Sequence, residues 1–237
     1  MDWTDWKPHY MTIVDELDLD FDADMMATSL LDSMLDDQDV IPLLKKLASL
    51  IAGKDVVICG AGPSLYRHLQ ELNASESASE FVYVVADGAV SALLKMGRKC
   101  DILVTDLDGR SEDLHEAVKQ GALPIVHAHG DNMDAIRRIV PVLKPVLGST
   151  QVQPTEKVFL WGGFTDGDRA CYVVAEYNPK RVILAGMDFG DIVGFWSKPY
   201  HQGNYKAGIR KRKKLEIAEK LIAELERRLD LDFTLMR

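Results

Sequence analysis

The sequence predicts an α/β protein built on a doubly wound, mainly parallel sheet. From Asp55 onward, short apolar and β-branched runs alternate with stretches of helical spacing. Those runs are apolar on both faces, as strands of a parallel sheet covered on either side must be. Nearly every run stops at glycine or aspartate, the residues of tight turns and helix starts. Right-handed crossovers between such strands produce a Rossmann-like α/β/α arrangement.

Six strands are expected in the core, residues 54–190: Val56–Cys59, Phe81–Ala86, Ile102–Thr105, Leu123–Ala128, Lys157–Trp161 and Arg181–Ala185, each but the last followed by a helix. Residues 1–53 form a separate helical segment, with Met25–Leu31 and Ile41–Ile51 at helical spacing, Asp24 and Asp39 as start signals, Pro42 in a first turn and Gly53 as a stop. The run Asp18-Leu-Asp20-Phe-Asp22-Ala-Asp24 opens like a calcium loop, but Ala23 and Ser29 stand where glycine and a bidentate glutamate are required. It reads as a solvated acidic face with helix caps. Residues 191–237 supply an irregular loop (Trp196–Asn204, including Pro199), a basic run from Ala207 to Lys214, a helix over about Lys213–Leu229, and a terminal stretch from Asp232 as an edge strand or a packed tail.

Composition narrows the class. The net charge of −9 argues against binding nucleic acid through a general basic field. Cys59, Cys100 and Cys171 are scattered and odd in number, which fits reduced thiols in a cytoplasmic protein. The polar, acidic start MDWTDWKPHY is no signal peptide, and no apolar run is long enough for a membrane span.

The strand ends carry the chemistry. In a parallel sheet all C-terminal tips share one edge, and ligands bind there. The first tip is the glycine-rich turn Gly60-Ala-Gly62-Pro-Ser64 running into a helix, an anion-binding arrangement. The others end in Asp87, in Asp106 and Asp108, in Asp131, in Asp166 and Asp168, and in Asp188. Capping explains one aspartate per helix start but not the pairs; a Mg²⁺ ion with a polyphosphate explains the whole edge. Thr165 and Arg169 flank the fifth tip as a phosphate clamp. Two other readings stay open. GAGPSL with Asp87 downstream is a partial dinucleotide fingerprint, with Leu65 in place of the third glycine. His127, His129 and Asp131 alternate like a zinc hydrolase motif, but Asn132 stands where its last histidine belongs, so a buried or phosphate-facing histidine pair is favoured.

Taken in order, GAGPSL, ADGA (86–89), VTDLDG (104–109), HAHGDN (127–132), GGFTDGDRA (162–170) and LAGMDFG (184–190) closely resemble the archaeal-type 6-hydroxymethyl-7,8-dihydropterin pyrophosphokinases of the DUF115 group, whose core is similar to thiamine pyrophosphokinase. The resemblance implies Mg²⁺-dependent transfer of pyrophosphate from ATP to a hydroxymethyl pterin, in a soluble protein with no nucleic-acid or membrane partner. Charge placement along the edge makes Asp106, Asp108 and Asp131 the expected metal ligands and His129 and Arg169 the expected catalytic groups. Gly60, Gly62, Ser64, Asp87, Thr105, Asn132, Thr165, Asp166 and Asp168 form the nucleotide-binding set, with Asp87 and Asp168 behind the ligands or at a second ion. Thiamine is the alternative acceptor, although no β-rich substrate domain follows the basic helix. Trp161, Phe164 and Trp196 are available for ring stacking, and the N-terminal segment for a lid or a homodimer surface. The basic loop from Lys198 to Lys214 is expected to be surface charge more than a phosphate cover.

Overall fold

The computed structural model describes residues 1–75, 80–198, 200–229, 231 and 233–237. Pro199 of the expected loop and Asp232 of the expected terminal stretch lie outside the described residues. Three helices come first: α1 (Trp3–Leu17), α2 (Phe21–Met34) and α3 (Ile41–Ile51). The α/β part then runs β1 (Asp55–Cys59), α4 (Leu65–Asn73), β2 (Val82–Ala86), α5 (Ala89–Lys95), β3 (Ile102–Thr105), α6 (Ser111–Lys119), β4 (Leu123–Ala128), α7 (Met133–Leu143), β5 (Leu147–Thr150), β6 (Val158–Phe159), α8 (Asp166–Ala175) and β7 (Arg181–Ala185). A small hairpin, β8 (Ile192–Val193) and β9 (Tyr205–Lys206), precedes α9 (Ile209–Leu229) and β10 (Phe233–Leu235).

Among the described residues the main sheet has eight strands in the order β10-β7-β1-β2-β3-β4-β5-β6, and every pairing in it is parallel. The doubly wound class is as expected, and the sheet is larger than six strands because β5 and β10 join it. β5 escapes a hydropathy reading because Gly148 has no side chain and Ser149 and Thr150 are polar, yet all are buried. Their hydroxyls are satisfied internally: Thr150 pairs with Thr28 at 2.7 Å and Ser149 reaches His127 Nδ1 at 3.4 Å.

Alternation along the strands explains the doubly apolar runs. Val56, Ile58, Val84, Ile102, Val104 and Ile125 face a core shared with α1, α3, α8 and α9. Val57, Cys59, Val85, Leu103, Val126 and Ile183 face the opposite core, with α2 and α4–α7. The three cysteines are free and buried. Among the described residues no helix is long and apolar enough to cross a membrane.

The N-terminal helices belong to the same packing. Asp20, not Asp24, caps α2, accepting from Ala23 N at 2.9 Å. Asp24 lies one turn inside and is buried, taking bonds from the Tyr10 hydroxyl, Gln151 Nε2 (2.7 Å) and Gly130 N (2.7 Å). That carboxylate ties α1, α2, β5 and the turn after β4 to one point. The expected solvated acidic face is therefore corrected at Asp24, because three donors replace its hydration.

The turns after β1 and β7 touch through backbone. Gly186 has φ +65°, and a Cβ there would collide with Gly60 O and the Leu65 side chain. Gly186→Ala is therefore expected to cost about 3 kcal/mol, from left-handed strain plus overpacking. Thermal or urea unfolding of the variant checks this; an unchanged midpoint would show that the two turns can separate freely.

Candidate active site

The C-terminal edge of the sheet opens into a cavity of about 640 Å³. Its floor is the tips of β1–β4 and β7, one wall is the start of α2, and α9 with the β8–β9 hairpin closes over it.

Three carboxylates meet on the floor. Asp87, Asp106 and Asp108 can each present an oxygen within 4.8 Å of the others'. The backbone is bent to achieve this. Asp87 has φ +37° and Leu107 φ +70°, values that non-glycine residues seldom adopt and that mark functional turns. The Leu107 conformation drives its side chain into the core and leaves Asp106 and Asp108 on the cavity side. Asp108 N also donates to Asp106 Oδ1 at 3.3 Å, so the turn is locally self-bonded as well.

The electrostatic cost is visible in the proton affinities. Burial, then the charge of Asp106, pushes the Asp87 carboxyl up to about 7, although Thr105 and Gly109 hydrogen-bond to it. Burial, followed by Asp106 and Asp87, also raises Asp166 well above the ordinary range. Burial works in the same direction on Asp106, but its pairing with His129 and the nearby Lys198 and Lys214 bring it below the ordinary value. An oxygen-only donor set this crowded suits a hard divalent cation of the Mg²⁺ type. Asp131 was expected among the metal ligands; its exposed side chain lines the cavity but lies outside the converging group, where Asp87 stands instead.

Several other expected site residues are struts. Thr105 is fully buried; its hydroxyl donates to Asp87 and accepts from Leu107 N at 2.8 Å. Asn132 Nδ2 donates to Asp106 O and His127 O, both at 2.8 Å, clamping the β3 and β4 tips together. Asp168 accepts from Phe164 N (2.6 Å), Thr165 N (2.8 Å) and the Thr165 hydroxyl, forming the cap of α8. Of the fifth-tip pair, Asp166 faces the cavity together with Thr165. At the first tip, Gly60 and Gly62 line the cavity, but the donors of Ser64 are taken: its N–H (3.0 Å) and hydroxyl (2.7 Å) both go to Asp188. A Cβ on Gly62 would strike Asp188 and Gly186 O, so that glycine is also required by the contact between the two turns.

His129 sits beside the floor, Nε2 3.5 Å from Asp106 Oδ2, while its Nδ1 accepts from Asp131 N at 3.3 Å. His127 stacks on it at 5.9 Å between centroids and is buried, so its charged form is strongly disfavoured by desolvation and by Arg169. Arg169 is only 1% exposed; Nη1 and Nη2 bond the carbonyls of Gly163 (3.0 Å) and Phe164 (2.9 Å).

The cations come from the segment expected to be surface charge. Lys198 forms an ion pair with Asp108. Arg210, Lys211 and Lys214 line the cavity from the first turns of α9, and burial lowers the proton affinity of both lysines. Lys214 also lies 5.5 Å from the Phe164 ring centroid. The basic run is thus a roof over an acidic floor. A sequence reading had its charges but not their direction, since a basic helix start reads equally as solvated. Of the proposed stacking residues, Phe164 lines the cavity; Trp161 packs in the core, and Trp196 packs against Phe195 and Tyr66.

Fold and site together define an α/β protein whose acidic, cation-roofed crevice lies on the C-terminal edge of a parallel sheet. Residues 27–194 match the family model described as "6-hydroxymethylpterin diphosphokinase MptE-like", and the chain belongs to that family. Curated relatives agree along nearly the whole chain. The protein named 6-hydroxymethyl-7,8-dihydropterin pyrophosphokinase of Pyrococcus furiosus is 42% identical, covering 95% of each chain. Its namesake from Methanocaldococcus jannaschii is 38% identical over 98% of this chain and 99% of its own. The protein of that name from Methanothermobacter thermautotrophicus is 40% identical over 95% and 96%. Among solved structures, the MAf glycosyltransferase from Magnetospirillum magneticum AMB-1 aligns with 81% of this chain and 37% of its own, at a TM-score of 0.50 and 14% identity. That likeness concerns fold alone.

The floor makes a stability prediction. With its carboxyl raised, Asp87 penalises the folded state increasingly as pH climbs from about 4 to about 7, and fully above that. Asn keeps an acceptor for Thr105 and tolerates positive φ. Asp87→Asn should therefore stabilise the metal-free protein by about 2 kcal/mol at pH 8, with a smaller gain at pH 5. Denaturant midpoints at the two pH values decide it.

Proposed function

We propose that the protein transfers the terminal diphosphoryl group of ATP to 6-hydroxymethyl-7,8-dihydropterin, giving the pterin diphosphate and AMP in a Mg²⁺-dependent reaction. The observation that carries this is the convergence of Asp87, Asp106 and Asp108 beneath Lys198, Lys211 and Lys214, in a chain of this family. The reduced, buried thiols suit a cytoplasmic setting.

In the transfer, the pterin hydroxymethyl oxygen forms a bond to the β-phosphorus. The bond from that phosphorus to the α,β-bridging oxygen breaks, AMP departs with the oxygen, and the hydroxyl proton is released to solvent. Asp87, Asp106 and Asp108 would hold Mg²⁺, which when bound neutralises charge on the polyphosphate and orients it. Triphosphate oxygens fit between that floor and the lysines of α9, where partial burial strengthens each charge-assisted bond. His129 orients Asp106: with Nδ1 accepting from Asp131 N, its Nε2 is the protonated nitrogen facing the carboxylate. A loose phosphoryl-transfer transition state asks for positioning and charge more than for a strong base.

Incubation with Mg²⁺, ATP and 6-hydroxymethyl-7,8-dihydropterin should release AMP with the pterin diphosphate, and chelation with EDTA should stop it; absence of both products sinks the proposal. Asp106→Asn and Asp108→Asn should each lower kcat by about 100-fold or more with the circular dichroism spectrum unchanged. Lys211→Ala and Lys214→Ala should raise KM for MgATP by about tenfold and leave KM for the pterin unchanged. Thiamine in the same assay should give no AMP.

A further inference from the structure

The cavity has one end that the polyphosphate chemistry does not use, where α2, β4, β5 and the Phe164–Arg169 turn meet. Two polar atoms on residues lining that end are buried without a hydrogen-bond partner, His127 Nε2 and Arg169 Nε. The Gln151 side chain, its amide nitrogen committed to Asp24, also interacts with the His127 ring, while Nε2 has no partner in hydrogen-bond geometry. Buried orphan atoms are rare and call for a reason, and here two adjoin one cavity.

His127 Nδ1 faces the Ser149 hydroxyl at 3.4 Å, and the ring, 2% exposed, is held neutral by burial. We assign the His127 proton to Nδ1, donating to the Ser149 hydroxyl, which leaves Nε2 with a lone pair. Arg169 Nε can only donate. Beside them, Asp24 accepts from the Tyr10 hydroxyl, Gln151 and Gly130 N, which leaves about one of a carboxylate's four acceptor positions open. Asp24 and His127 are both electrostatic neighbours of Arg169. With that assignment the lining of this end holds two acceptors and one donor, with Phe164 adjoining.

Accepting the pterin diphosphokinase reading above, we infer that this end is the acceptor subsite, and that it recognises the 2-amino-4-oxo edge of the pyrimidine ring. That edge carries the amino group and N3–H as adjacent donors and O4 as an acceptor, the complement of Asp24, His127 Nε2 and Arg169 Nε. Adenine offers one donor and one acceptor on its corresponding edge and leaves a buried group unpaired, which is costly. The triphosphate is excluded for another reason. Each Arg169 Nη atom is held by a backbone carbonyl and the side chain is buried, while Asp24, Asp18 and Asp20 on the same wall repel phosphate. From this end the residues His127, His129 and Asp106 step toward the metal floor, 5.9 Å between rings and then 3.5 Å to the carboxylate. A pterin anchored here and lying along this row carries its hydroxymethyl group toward the floor. The nucleoside then lies on the other flank, among Gly60, Gly62, Phe189 and Val193.

The test is equilibrium binding, followed by fluorescence of 6-hydroxymethylpterin without ATP. A 2,4-diamino-6-hydroxymethylpteridine, which lacks N3–H and O4, should bind the unaltered protein at least about tenfold more weakly. His127→Leu should weaken pterin binding by about tenfold or more, His127→Gln should retain most of it, and neither should move KM for MgATP. Equal binding of the two pteridines overturns the inference, as does a His127→Leu protein that loses MgATP affinity instead of pterin affinity. The ligand comparison needs no variant, so misfolding of His127→Leu leaves it decisive. Selective pterin binding without AMP release would overturn the reaction and leave the subsite standing. Turnover that accepts both pteridines equally would do the reverse.

Discussion

The structure turns on charge crowded along one sheet edge. Parallel topology brings the tips of β2, β3 and β4 side by side, and each delivers aspartate to the same crevice. Anions so placed raise one another's proton affinity and destabilise the fold that assembles them. Positive charge must be brought to them, and the chain supplies some of its own: Lys198 on Asp108, with Lys211 and Lys214 overhead. The hairpin, the basic helix start and the left-handed turns at Asp87 and Leu107 are all arranged around that constraint. Stability is given up at this edge so that a cation and a polyphosphate complete it, a familiar balance at functional sites.

The polar residues on the edge divide into two groups. Thr105, Asn132 and Asp168 spend their hydrogen bonds on backbone and on the neighbouring Asp87 and Thr165 side chains, fixing where the tips stand. Asp87, Asp106, Asp108 and Asp166 project into the cavity. A site held within a fraction of an ångström needs both kinds, because a carboxylate is only as well placed as the turn that carries it. Asp24 extends the same device to the N-terminal helices, which makes α2 a wall of the crevice.

Strand alternation, helix spacing and the aspartate-bearing tips were plain in the residues, since continuous apolar runs and turn chemistry are local signals. What was not legible depended on tertiary context. The strand Leu147–Thr150 is buried through small and polar residues whose partners are far away in sequence, so nothing local marks Gln151 behind it as part of the crevice. The choice of Asp87 over Asp131 for the converging group follows from backbone angles at Asp87 and Leu107 that no spacing rule supplies. The direction of the α9 lysines depends on where that helix docks, and Asp24 looked like a cap because its buried partners lie on other elements.

The bond from Ser64 to Asp188 has a wider meaning. In nucleotide-binding α/β folds, the helix start after the first strand is the seat of a ligand's phosphates. Here the chain seats its own carboxylate there. A dinucleotide approaching in the usual manner would have to evict a covalently tethered competitor at very high effective concentration. The fold thus carries a built-in antagonist to its most common class of ligand, and selectivity begins with a place that the protein has kept for itself.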